Sequence, residues 1–100
     1  MLVRNIEFSP DIMRYCQKEG IAHFLFVAVD LAVQCFPTLK ALSFEVMGDP
    51  ETGERWLAIS ADIEGTVNTA MEANDEYTKR WLSQVPWPER NKIRLTFNII

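Results

Sequence analysis

Alternation of apolar and polar residues is strongest between Lys40 and Glu64. In the first arm Leu42, Phe44 and Val46 share one side, while Ser43, Glu45 and Met47 share the other. In the second arm Leu57, Ile59, Ala61 and Ile63 oppose Trp56, Ala58, Ser60, Asp62 and Glu64. A period of two marks strands with one buried face. Between the arms lies Asp49-Pro50-Glu51-Thr52-Gly53. Pro50 sets φ for the first central position of a type I turn, and Gly53 can take the left-handed conformation that starts the second strand in register. The pattern predicts a β-hairpin.

The flanking segments read as strand and helix. Leu2 to Phe8 alternates weakly, with Ile6 and Phe8 against Asn5 and Glu7, and predicts a short strand. Ser9-Pro10-Asp11 then offers an N-cap, a first-turn proline and an acidic group for the positive end of a helix. Ile12, Met13 and Cys16 form that helix's apolar side, and Gly20 ends it. Ile21 to Phe36 contains many strand-prone residues, but His23, Asp30 and Gln34 are spaced by seven and four. On a helix they form one narrow polar stripe; on a strand His23 and Asp30 would face opposite sides. Sixteen residues is also long for a strand, so a helix stopped by Pro37 is expected. Its apolar surface runs most of the way round, which predicts cover on more than one side and a contact near Val27, an apolar residue inside the polar stripe.

A third helix is predicted after Gly65, capped by Thr66 or by Thr69 with Glu72 three residues on. Val67, Ala70, Met71, Asn74, Tyr77, Trp81, Leu82 and Val85 follow helical spacing, and Pro86 closes the element. Lys92 to Ile100 is the last predicted strand, with Ile93, Leu95, Phe97 and Ile99 facing in and Lys92, Arg94, Thr96 and Asn98 facing out. The order is strand, two helices, strand, strand, helix, strand. With the first two helices taken as one broken crossover, it predicts a single α+β domain over residues 1–100. The expected fold is ferredoxin-like, a four-stranded antiparallel sheet with helices on one face.

Composition narrows the partners. Ten basic residues against fourteen acidic ones give a net charge of −4, which argues against nucleic acid and against an anionic membrane surface. The apolar run from Ile21 is shorter than the roughly 20 residues of a bilayer span and contains Asp30 and Gln34. The segment before it carries Glu7, Asp11 and Glu19 rather than a basic leader. A cytoplasmic protein is expected. Cys16 and Cys35 lie in apolar helical contexts and read as buried thiols, with a disulfide as the alternative. One histidine is too few for an ordinary Cys/His zinc site, and no cofactor is expected.

The run Asp49-Pro50-Glu51-Thr52-Gly53-Glu54-Arg55-Trp56-Leu57, the helix ending in Trp81-Leu82 and the closing Ile93-Arg94-Leu95-Thr96-Phe97-Asn98-Ile99 resemble a set of small bacterial α+β proteins of unknown function. The resemblance covers most of the chain and rests on a turn and two core patterns. It implies no activity and no site residue, and it points to an antitoxin-like partner of a neighbouring protein.

Catalytic patterns are lacking. The four glycines sit at element ends rather than in a phosphate loop, and there is no nucleophile elbow or His-Glu-x-x-His stretch. His23 and Asp30, two helical turns apart, would be separated by about 10.5 Å along the axis, too far for a direct dyad. Trp56 is expected on the outer side of the hairpin near Met47, suited to lateral packing or a protein contact rather than base stacking. Trp87 and Arg90, in the loop after the third helix, are residue types favoured at interface hot spots. The expected function is a non-enzymatic protein–protein interaction module, a homodimer or the partner of a second protein. His23, Val27, Asp30, Trp56, Trp87 and Arg90 are its candidate contact residues. The alternative is a small enzyme or small-molecule binder in which His23, Asp30 and Cys35 converge at a dimer interface.

Overall fold

A computed structural model describes residues 9–100. The expected strand Leu2 to Phe8 lies outside them. In chain order the elements are α1 (Pro10–Glu19), α2 (Ala22–Cys35), β1 (Leu39–Gly48), β2 (Arg55–Ile63), α3 (Val67–Gln84), a 3₁₀ turn (Glu89–Asn91) and β3 (Ile93–Ile99).

Local chemistry sets the ends of these elements. The Ser9 hydroxyl accepts the Ile12 N–H at 3.3 Å, and Gly20 closes α1 at φ +73°. Thr66 caps α3: its side chain accepts the Thr69 N–H, and the Thr69 hydroxyl accepts the Thr66 N–H, each at 3.2 Å. That decides between the two caps the sequence offered. The hairpin turn closes with Gly53 N–H on the Asp49 carbonyl and Asp49 N–H on the Glu54 carbonyl, both 2.8 Å. Gly53 is left-handed at φ +76°, as its place in the turn requires.

The sheet departs from expectation. β1 and β2 pair antiparallel, with Leu42 opposite Ala61, Phe44 opposite Ile59 and Val46 opposite Leu57. β3, however, lies beside β2 and parallel to it, in a register running from Leu57–Ile93 to Ile63–Ile99. Among the described residues the sheet is three-stranded and mixed, in the order β1-β2-β3. This overturns the four-stranded antiparallel, ferredoxin-like arrangement. There, a first strand would separate β2 from the last strand. Here β2, α3 and β3 form one β-α-β unit, with the 18-residue α3 carrying the chain back to the end where β2 began. A crossover of that length is what a parallel neighbour needs. Alternation assigns each strand its inner face, but it does not say which strand stands beside it.

The helices cover one face. Helix α1 touches β1 and α2, α2 touches α3, and α3 touches β3, so they lie side by side with α1 toward the β1 edge and α3 toward the β3 edge. Leu25, Ala28, Leu31, Ala32 and Cys35 of α2 are buried, as are Leu57, Ile59, Ala61 and Ile63 of β2. Each large aliphatic side chain withdrawn from water contributes about 1.5–3 kcal/mol before entropy is counted. An aromatic row joins the layers. Phe36 meets Phe97 at 6.4 Å and Tyr77 at 6.2 Å, and Tyr77 stacks on Trp81 at 6.2 Å and 9°.

Helix α3 divides its apolar residues. Ala70, Tyr77 and Trp81 are buried, whereas Val67, Met71 and Leu82 are 59%, 53% and 47% exposed. Its apolar stripe is wider than the strip of sheet beneath it. The flank toward α2 is polar and bridged, with Arg80 Nη1 donating to Gln34 Oε1 at 3.3 Å. Val67, Met71 and Leu82 lie on the flank turned away from α2.

Candidate functional site

The β3 edge presents two features side by side. The first is its backbone. Leu57 N–H donates to the Lys92 carbonyl at 2.8 Å, and Ile100 N–H donates to the Ile63 carbonyl at 2.9 Å. In a parallel pair, alternate residues aim both main-chain groups at the neighbouring strand. Arg94, Thr96 and Asn98 therefore face β2, and the N–H and C=O groups of Ile93, Leu95, Phe97 and Ile99 face away from it. No described strand lies on that side. The second feature is the free flank of α3, which carries Val67, Met71 and Leu82 along the same edge. Trp87, 69% exposed, follows the helix end, and Ile99 and Ile100 are exposed at the far end of β3. Among the described residues, the outward main-chain groups of β3 thus have no neighbouring strand and lie beside exposed apolar side chains of α3.

The residues singled out from sequence fall in three other places. His23, Val27 and Asp30 lie on α2. His23 is exposed and sets its ring edge-on to Phe24 at 5.4 Å. Asp30 accepts from Gln34 at 2.8 Å, and Gln34 in turn accepts from Arg80, which donates to Glu76 at 2.7 Å. Gln34, at the end of this stripe, ties α2 to α3. Val27, inside it, is half-buried and packs against the core.

Trp56 sits on the outer sheet face opposite Met47, as its alternation requires. The Arg94 guanidinium stands 4.2 Å over its ring and pairs with Glu54 at 3.5 Å, so one face of the indole is already occupied. Trp87 and Arg90 lie on the connection from α3 to β3. The Arg90 carbonyl accepts from Trp81 Nε1 at 3.3 Å, and its Nε finds no hydrogen-bond partner among the described residues. Of the six, Trp87 lies three residues beyond the end of α3 and is 69% exposed.

His23 and Asp30 are exposed on α2, whereas Cys35 is buried in the core. Cys16 and Cys35 are separate thiols, and burial pushes both up from the usual thiol range, the reverse of what a nucleophile needs. Burial likewise raises the Tyr77 hydroxyl well above the usual phenol range. An apolar cleft of about 330 Å³ opens at the start of α3, between Phe36, Ile63, Ala70 and Ala73, and none of His23, Asp30 and Cys35 lines it. Among the described residues no three His, Cys, Asp or Glu side chains gather to hold a metal ion. No helix among them is long and apolar enough to cross a membrane.

Sequence reading missed the α3 flank. Its signal was present: the eight apolar-spaced positions of the third helix sweep an arc wider than one sheet face can cover. The edge itself carried no sequence signal, because it follows from which strand β3 joins. No family model, curated protein or solved structure matches the chain.

Proposed function

We propose that the chain is a non-enzymatic protein–protein interaction module that engages its partner along the β3 edge and the adjoining flank of α3. The observation that carries this reading is the exposure of Val67, Met71 and Leu82 beside an edge of β3 that no other described strand covers. Exposed apolar side chains are ordinary when scattered; here Val67, Met71 and Leu82 share one flank of α3, with Thr78 between Met71 and Leu82, beside the β3 edge. Buried, separate thiols at Cys16 and Cys35 fit a cytoplasmic setting for it.

The double variant Met71→Asp/Leu82→Asp tests the reading. Both side chains are about half exposed, so the variant should unfold at the wild-type denaturant midpoint within about 0.5 kcal/mol. Tagged wild type expressed in its own host should retain a protein that the variant loses. Retention of the same set by both would overturn the reading.

A further inference from the structure

We propose that the occupant of this edge is β3 of a second copy of the chain, paired antiparallel about a two-fold axis at Thr96. The proposal rests on the binding surface above and names its partner. The outward main-chain groups belong to Ile93, Leu95, Phe97 and Ile99, so a self-paired register must set these four against one another. An axis at Thr96 does so in full, with Ile93 opposite the second copy's Ile99 and Leu95 opposite the second copy's Phe97. An axis at Leu95 leaves Ile99 without a partner, and one at Phe97 leaves Ile93 without one. The Thr96 register forms about eight main-chain hydrogen bonds, close to the roughly ten direct bonds of an ordinary interface.

Side chains agree with the register on both faces. Inside, apolar residues meet apolar residues and extend the core strip of β3 across the axis. Outside, Thr96 meets itself and Arg94 meets Asn98, so no like charges are opposed. Arg94 is moreover drawn back over Trp56 and Glu54, clear of the edge. Helix α3 runs antiparallel to β3, so the same axis sets it antiparallel to its copy, with the Val67–Met71 end of one toward Leu82 of the other. Such a contact is closed and isologous, using one patch on both copies.

Thr96 supplies the test, because it is exposed on the outer face and can take a charge without entering the core. Wild type should sediment as a dimer at micromolar concentration. Thr96→Lys and Thr96→Glu should each raise the dissociation constant by about fivefold or more, since like charges then sit directly opposite across the axis. An equimolar mixture of the two should associate again, as Lys meets Glu. Thr96→Cys should cross-link on oxidation into a covalent dimer, because opposed residues of this class bring their Cβ atoms to about 4.5–5.5 Å. A dimer indifferent to all three substitutions would overturn the register. A monomeric wild type would overturn the self-pairing alone. The binding-surface reading falls separately, on unchanged retention by Met71→Asp/Leu82→Asp.

Discussion

β1 and β3 border the same central strand, and they meet solvent in different ways. β1 joins β2 through the short turn from Asp49 to Gly53, so its pairing is local and antiparallel. Its start is interrupted by a register shift between Leu39 and Ala41, where Lys40 is the extra residue and pairs with Glu64 at 3.5 Å. A bulge and a charge at an edge discourage a further strand. β3 reaches β2 only after the 18-residue α3, pairs along its whole length without a register shift, and holds its one charged side chain over Trp56. The edge made by the short turn is blunted, and the edge made by the long crossover has no neighbouring strand among the described residues. Uncovered strand edges are templates for pairing, so the two sides of β2 differ in how well they could take a further strand.

The largest effect on this contrast should come from Trp81→Ala. Trp81 is buried, stacks on Tyr77 and ties α3 to the Arg90 carbonyl, so it holds the β3 side together. The variant should lose about 3–5 kcal/mol of unfolding free energy in urea. A loss below about 1 kcal/mol would mean that β3 docks without this anchor.

Gly53→Val strikes the β1 side and should cost less, about 1–3 kcal/mol. A Cβ at Gly53 would meet nothing within 4 Å, so the loss measures backbone strain at φ +76° rather than a clash. Gly53→Asn, which tolerates the left-handed region, should recover most of it. Equal melting of the Val variant and wild type would remove the turn from the account.

Lys40→Ala should be the mildest. Its ion pair with Glu64 is exposed, and stability should change by less than about 0.5 kcal/mol. The bulge is a backbone feature, so the β1 edge should stay closed to association when the charge is gone. New concentration-dependent dimerisation in a Lys40→Ala, Thr96→Lys background would show that the charge alone guards that edge.

Much of the molecule was legible from residue order. The left-handed Gly53, the caps at Ser9 and Gly20, the helical state of Ile21 to Phe36 and the inner and outer faces of all three described strands follow from spacing and turn chemistry. These are properties of a few neighbouring residues, and a chain carries them wherever it goes. The candidate surface was not legible in the same way. His23, Val27 and Asp30 drew attention as a stripe; of the three, Asp30 joins the Gln34–Arg80 bridge from α2 to α3.

The sequence by itself determined which side of each strand is apolar and where each turn falls, because alternation, proline and glycine act over single steps of backbone. Only the tertiary structure decided that β3 lies directly beside β2, and with it which strand forms the edge among the described residues. Both pairings bury Ile93, Leu95 and Phe97 on the same face, so local pattern does not separate them. The choice is one of long-range pairing, whether the last strand sits next to β2 or one strand further out, and the α3 crossover serves either.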